Sequence, residues 1–212
     1  MKKTILIAPF QGPLAEALAL EAVSDGWSLA LGLARGSASG AAPEGAATIY
    51  YEPKSYVSAS SLVLSARNAL GEIDAAVLVF DPSAARSDFL SGRPGELAAL
   101  VEERCSGPLF LARELVRRFE ARRAGCLLLL ASESPRDAAL GPLATMADGA
   151  FEGLGTGLFS ASASAPWSAY GLRDASGQAD KAARFALALL GNPKASKAGR
   201  WLRYTGKSGL FG

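Results

Sequence analysis

Apolar and polar positions follow two kinds of pattern along the whole chain. Short apolar runs rich in β-forming residues predict strands, and longer stretches with apolar residues at helical spacing predict helices. Strands are predicted at 4–8, 27–33, 47–52, 73–80, 126–132, 167–172 and 200–205, and helices at 14–25, 56–70, 94–123 (one helix or two abutting), 144–160 and 179–190. This alternation predicts an α/β fold, a three-layer Rossmann-type doubly wound parallel sheet of about seven strands with helices on both faces. We expect residues 1–212 to form a single domain.

Composition narrows the classes of function. The chain contains no histidine, which excludes Ser-His triads, histidine metal ligands and histidine general bases. The two cysteines, Cys105 and Cys126, lack zinc-type spacing, so we expect neither a metal site nor a disulfide framework. The net charge of +2 gives no reason to expect a nucleic-acid partner. No apolar run approaches the ~18–20 residues of a membrane span, and we expect a cytoplasmic protein.

The turn after the first predicted strand has an unusual sequence. Residues 8–15 read APFQGPLA. In dinucleotide-binding proteins this turn carries glycines, because the backbone must approach a pyrophosphate held at the helix N-terminus. Here Gly12 is the only glycine of the turn, and Pro13 has no N–H to donate to a phosphate. Reduced or absent dinucleotide binding is the favoured interpretation.

Four segments resemble the short-chain dehydrogenase/reductase family. They are IDAAVLVFDP at 73–82, GPLFLARELVRRFEARRAGCLLLLASES at 107–134, GAFEGLGTGLF at 149–159 and GRWLRYTGKSG at 199–209. The order and spacing of the predicted elements resemble that family over nearly the whole chain. The resemblance implies a Rossmann-type fold, an NAD(P) cofactor and oxidoreductase activity supported by serine, tyrosine and lysine residues.

The catalytic residues of that family correspond poorly to this chain. The position of the family tyrosine falls on Ala144, that of the lysine on Asp148, and that of the helix asparagine on Arg104. Only the serine is retained, as Ser132 or alternatively Ser134. In the family the tyrosine supplies a proton and the lysine lowers its pKa, which an alanine and an aspartate cannot do.

Three residues are candidates for contact with a cofactor. Gly12 lies in the first turn, and Asp81 follows the fourth predicted strand. Arg35 ends the second strand, where an arginine accommodates the 2′-phosphate in NADP-dependent relatives. As an alternative to the loss of activity, Arg104, Ser132, Asp148 and Asp81 could approach one crevice at the carboxyl ends of the strands.

Two hypotheses on function follow from the resemblance. The main one is a pseudoenzyme without cofactor or oxidoreductase activity, which acts as a binding or structural subunit. In relatives the helices around 108–123 and 144–160 pair between subunits, so we expect a homo-oligomer or a hetero-oligomer with a related chain. The alternative is an NAD(P)-dependent short-chain oxidoreductase with an atypical site.

Overall fold

The computed structural model describes residues 2–36, 40–82, 89–133, 141–191 and 199–206. Within these ranges the strands are β1 (Thr4–Ala8), β2 (Ser28–Ala34), β3 (Ala47–Tyr51), β4 (Ala75–Phe80), β5 (Cys126–Ser132), β6 (Ser168–Asp174) and β7 (Trp201–Tyr204). The helices are α1 (Gly12–Ser24), α2 (Tyr56–Leu70), α3 (Pro94–Val101), α4 (Gly107–Arg122), α5 (Pro142–Ser162) and α6 (Ala179–Gly191). A π-helical turn, Glu102–Ser106, joins α3 to α4.

The strands form one parallel sheet in the order β3-β2-β1-β4-β5-β6-β7. From β1 the chain first moves outward to β2 and β3, and it then returns beside β1 to build the other half from β4 to β7. The direction of winding therefore reverses between β1 and β4. In such sheets the crevice at the carboxyl ends of the strands at this reversal is where ligands bind. The predicted doubly wound fold is confirmed.

Each strand contributes side chains to two separate core layers, as the two-residue period of a strand requires. In β1, Ile5 and Ile7 pack into a cluster with helices α1 and α6, whereas Leu6 and Ala8 pack into a second cluster with α2, α4 and α5. Each fully buried leucine or isoleucine contributes about 1.5–3 kcal/mol relative to an exposed position. Burial on both faces explains why the central strands are continuous apolar runs.

Helix α1 begins at Gly12, earlier than the predicted start at residue 14. Gln11 precedes it in an extended conformation, and Gly12 has a φ of +81°, a left-handed value that favours glycine. Pro13 then lies in the first helical turn, where its missing N–H removes no intrahelical hydrogen bond. The two residues thus start the helix immediately beside the crevice.

The predicted helix at 94–123 is a continuous helical run that contains an irregularity. Helices α3 and α4 join through the π-helical turn, which includes Glu103 and Arg104. Such turns are often found at functional sites. No helix in the described part of the chain is long and apolar enough to cross a membrane.

Strand β6 is longer than predicted. It continues to Asp174, because that residue pairs with Ser132 of β5 on one side and with Tyr204 of β7 on the other. Helix α6 begins at Ala179, so only residues 175–178 connect the strand to the helix. The extra residues of β6 place an acidic side chain at the carboxyl edge of the sheet.

Candidate functional site

A cleft with two lobes lies at the carboxyl ends of the strands, where the winding reverses. Lobe A is bounded by the ends of β2 and β3 and by the π-helical turn. Lobe B is bounded by the start of α1 and the ends of β5 and β6. Gln11, Val79 and Phe80 line both lobes, so the lobes meet across the end of β4.

The turn from β1 to α1 leaves the cleft open. The backbone N–H of Phe10 donates to the carbonyl of Gly32 at 2.7 Å, and the Phe10 ring is buried in the core between the sheet and α1. At Gly12, no atom of the described residues beyond its own chain neighbours lies within 4 Å of the position that a Cβ would occupy. In the described part of the chain, the space above the turn is therefore open to a ligand that approaches the backbone.

The N-terminus of α1 faces lobe B. Gly12, Pro13 and Leu14 line that lobe. The first N–H groups of any α-helix have no acceptor within the helix, and they carry the positive end of its dipole. Pro13 lacks an N–H, but Gly12 and Leu14 keep theirs. This turn can donate to a phosphate with fewer groups than a glycine-rich turn provides.

Lobe A contains a buried phenol beside an ion pair. Tyr51 ends β3 and is buried, while Glu103 and Arg104 of the π-helical turn also line the lobe. Arg104 lies 3.6 Å from the Glu103 carboxylate and is largely covered. Burial raises the pKa of Tyr51 well above its usual value, the Glu103 carboxylate raises it further, and Arg104 opposes the change. Tyr51 is therefore a neutral hydrogen-bonding group near neutral pH.

Lobe B brings together three polar side chains from three strand ends. Asp81 follows β4, while Ser132 and Asp174 are paired across β5 and β6. Neighbouring residues at the same level of a parallel sheet direct their side chains to the same face. Asp174 is only 5 % exposed. Its Oδ1 accepts hydrogen bonds from the backbone N–H of Ser176 at 2.9 Å and from the Ser176 hydroxyl at 2.6 Å.

The positions predicted for the catalytic tyrosine and lysine lie elsewhere. Ala144 lies in the first turn of α5, and its side chain is buried in the core. Asp148 accepts hydrogen bonds from Arg173 at 3.0 and 3.3 Å, and the Arg173 guanidinium lies 5.0 Å from the centre of the Trp201 ring. Neither Ala144 nor Asp148 is among the described residues that line the cleft. Asp148 thus ties α5 to β6 through an ion pair.

The predicted single crevice is in part wrong. Asp81 and Ser132 meet in lobe B with Gly12, but Arg104 lies in lobe A and Asp148 lies outside both lobes. Arg35 is exposed just beyond the end of β2, and its backbone N–H donates to the carbonyl of Tyr51 at 2.9 Å. Ser134 lies outside the described residues.

Sequence reasoning did not select Tyr51, Glu103 or Asp174 as site residues. Tyr51 and Glu103 are far apart in the chain, and only the packing of the π-helical turn against β3 brings them together. Asp174 could have been found, because polar residues at the carboxyl ends of parallel strands are candidates in this class of sheet. The predicted end of β6 at residue 172 placed it in a loop instead.

Solved structures show what this fold is similar to. A doubly substituted variant of a short-chain dehydrogenase/reductase from Serratia marcescens has a TM-score of 0.74 at 14 % identity, with 95 % of each chain covered. A variant of actinorhodin polyketide ketoreductase with NADPH has a TM-score of 0.77 at 13 % identity, covering 97 % of this chain and 96 % of that one. A structure from Sinorhizobium meliloti, also described as a short-chain dehydrogenase/reductase, has a TM-score of 0.74 at 17 % identity and 98 % coverage of both.

Comparisons of sequence add nothing further, since no family model and no curated protein matches the chain. The structural matches establish the fold, which is that of short-chain dehydrogenases/reductases. They also correct the main functional hypothesis. A subunit without oxidoreductase activity or cofactor was predicted, but structures alike over nearly the full length are oxidoreductases, one of them with NADPH. These findings favour the oxidoreductase alternative.

Proposed function

We propose that the chain is a member of the short-chain dehydrogenase/reductase family and works as an NAD(P)-dependent oxidoreductase with an atypical site. The open cleft at the reversal of strand order carries this proposal. Its two lobes meet at Gln11, above the start of α1. A dinucleotide has two halves joined by a pyrophosphate, and two lobes that meet beside a helix N-terminus match that division.

The residues that line the cleft fit the parts of the cofactor that we propose to bind there. Lobe A adjoins the end of β2, where the adenosine ribose is recognised in dinucleotide-binding folds. Its apolar walls include Ala34, Pro53 and Leu78, which suit a flat base. Arg35 follows Ala34 and is exposed, so it is the cation placed to contact a 2′-phosphate. The helix start at Gly12 provides backbone donors for the pyrophosphate.

The atypical part of the site is the source of the proton. The bound cofactor supplies hydride transfer, and the substrate oxygen then needs a proton partner. Ser132 is the hydroxyl among the described residues that line lobe B, and it can orient that oxygen. Ala144 and Asp148, at the positions expected for tyrosine and lysine, cannot perform the usual proton transfer. The chain therefore uses another proton source.

Calorimetric titration with NADPH tests the proposal. Gln11→Phe introduces a ring at the junction of the two lobes, and Gln11 makes no side-chain hydrogen bond that caps α1. Leu20→Phe is the matched control, because Leu20 is exposed on the same helix. We expect micromolar binding by the wild type and the control, and at least about tenfold weaker binding by Gln11→Phe, a loss of about 1.4 kcal/mol.

Two outcomes would contradict this proposal. If the wild-type protein is folded by circular dichroism but gives no heat with millimolar NADPH, the protein does not bind this cofactor. Equal affinity of Gln11→Phe and the wild type would place any bound dinucleotide away from the junction of the lobes. Titration with NADH, which lacks the 2′-phosphate, measures how much that phosphate contributes to the affinity. Arg35→Ala tests whether Arg35 provides that contribution.

We also propose that α4 and α5, the helices predicted around 108–123 and 144–160, contact a second copy of the chain or a related chain. Leu109 on α4 and Met146 on α5 are exposed apolar side chains. Above Gly149, Gly153 and Gly157 the space is open, so another backbone can approach closely. Light scattering should give a mass above one chain, and Gly153→Arg should reduce it. A monomeric wild type, with or without a co-expressed relative, would refute this interface.

A further inference from the structure

Two carboxylates are among the described residues that line lobe B. Asp81 and Asp174 line it, and no lysine or arginine is among the described residues that do. The buried Asp174 carboxylate therefore suits the part of a ligand that carries a positive charge.

The orientation of a dinucleotide in the cleft follows from the order of the strands. The adenosine half lies on the side of β2, which bounds lobe A, and the pyrophosphate lies over the helix start between the lobes. The nicotinamide half is thus directed to lobe B, beside the ends of β5 and β6. The nicotinamide ring is a cation in the oxidised cofactor and is neutral in the reduced cofactor.

We infer that Asp174 makes this site bind the oxidised cofactor in preference to the reduced one. The inference rests on the proposed function, since it requires a nicotinamide cofactor in the cleft. The carboxylate is nearly fully buried and is fixed in place by its two hydrogen bonds from Ser176. A fixed charge in partly desolvated surroundings acts on a nearby cation more strongly than a mobile charge in water. The phosphates are common to both redox forms, so the ratio of the two affinities reports the charge on the ring.

A purely structural role for Asp174 is the competing explanation. Its Oδ1 holds the turn from β6 to α6 together, and the Ser176 hydroxyl in turn accepts a hydrogen bond from the N–H of Gln178 at 3.0 Å. Asp174→Asn separates the two roles, because the amide oxygen can still accept both hydrogen bonds while the charge is lost. Ser176→Ala does the reverse, since it weakens the turn and keeps the charge.

The test is the ratio of the dissociation constants for NADPH and NADP⁺, measured by calorimetry on the full chain. We expect the wild type to bind NADP⁺ more tightly, and Asp174→Asn to reduce that ratio by about tenfold, mainly by weakening NADP⁺. A tenfold change in the ratio is about 1.4 kcal/mol. Ser176→Ala should leave the ratio within about twofold of the wild type.

Each result bears on one proposal separately. If Asp174→Asn still binds both NADPH and NADP⁺ and the ratio of their dissociation constants is unchanged, the role of Asp174 is overturned. The cofactor proposal would still stand. An equal change in Ser176→Ala would assign the effect to the turn and would also overturn it. Failure of the folded wild type to bind either form would overturn the proposed function, and this inference with it.

Discussion

Glu114 is a buried carboxylate that joins helices α2 and α4, and its neutralisation should destabilise the protein in a pH-dependent way. The side chain is 3 % exposed. It accepts hydrogen bonds from the Tyr56 hydroxyl and from the Ser60 hydroxyl at 3.2 Å, both on α2. Arg117 donates to it at 3.0 Å, and Arg113 lies 3.3 Å away. Burial alone would raise the pKa of Glu114, but the hydrogen bonds and the Arg117 charge outweigh it and lower the pKa.

Glu114→Gln removes the charge and keeps nearly the same shape. A hydrogen bond to a charged group contributes about 1.5–3 kcal/mol. The arginines are 54 % and 62 % exposed, so water screens their attraction and most of their contribution is discounted. The amide oxygen retains an acceptor for one hydroxyl. We expect a loss of about 1–2 kcal/mol in the free energy of unfolding near pH 7.

The direction of the pH dependence follows from the lowered pKa. A carboxyl with a lower pKa in the folded state stabilises the fold above its unfolded pKa, which is about 4.3 for glutamate. That stabilisation is lost as the pH falls through the folded-state pKa. The difference between Glu114→Gln and the wild type should therefore be largest near pH 7 and shrink to below about 0.5 kcal/mol near pH 3.

Urea unfolding followed by circular dichroism, across a series of pH values, measures this difference. Glu102→Gln is the control, because Glu102 is an exposed carboxylate in the adjacent π-helical turn. It should change the free energy of unfolding by less than about 0.5 kcal/mol. A Glu114→Gln effect that is absent near pH 7, or that is the same at every pH, would refute the reasoning.

Two further predictions concern the sheet. Gly171→Ala should destabilise the fold by about 1–3 kcal/mol in urea unfolding, because a Cβ there would meet the Trp201 ring and lie 2.7 Å from Phe159 Cζ. Gly149→Ala is the control, because the space above this residue of α5 is open, and it should be neutral or stabilise the fold by up to about 1 kcal/mol. Equal losses of stability in both variants would disprove the packing argument. Burial raises the pKa of the Cys126 thiol to about 12, so near pH 8 its thiolate fraction is about 10³ times below that of an ordinary cysteine. Mass spectrometry should find Cys126 alkylated only in denaturant, and rapid labelling of the native protein would contradict this.

The sequence was sufficient for most of the fold. Continuous apolar runs such as 73–80 and 126–132 are typical of strands covered on both faces, and their alternation with helices left few possible topologies. The boundaries of elements were less certain. The chain enters α1 through Gly12, whose φ is positive, and β6 continues to Asp174 because β5 and β7 pair with it. Neither feature is visible in local sequence patterns.

The candidate site was predicted less well, because it depends on contacts between distant residues. The absence of glycines in residues 8–11 suggested a turn that holds nothing. Whether that turn is closed depends on where the Phe10 ring packs, and the ring is buried in the core on the α1 side of the sheet. Likewise Tyr51 and Arg104 share lobe A only because the π-helical turn packs beside the end of β3. A residue that differs from a motif does not by itself tell whether the cleft has closed.

A crystal structure of the protein with NADPH tests the central claim most directly. We predict the adenosine half in lobe A, the pyrophosphate over Gly12 and the nicotinamide half in lobe B beside Ser132 and Asp174. Crystals grown with millimolar NADPH in which both lobes hold only solvent, or in which the dinucleotide lies at another surface, would contradict the account.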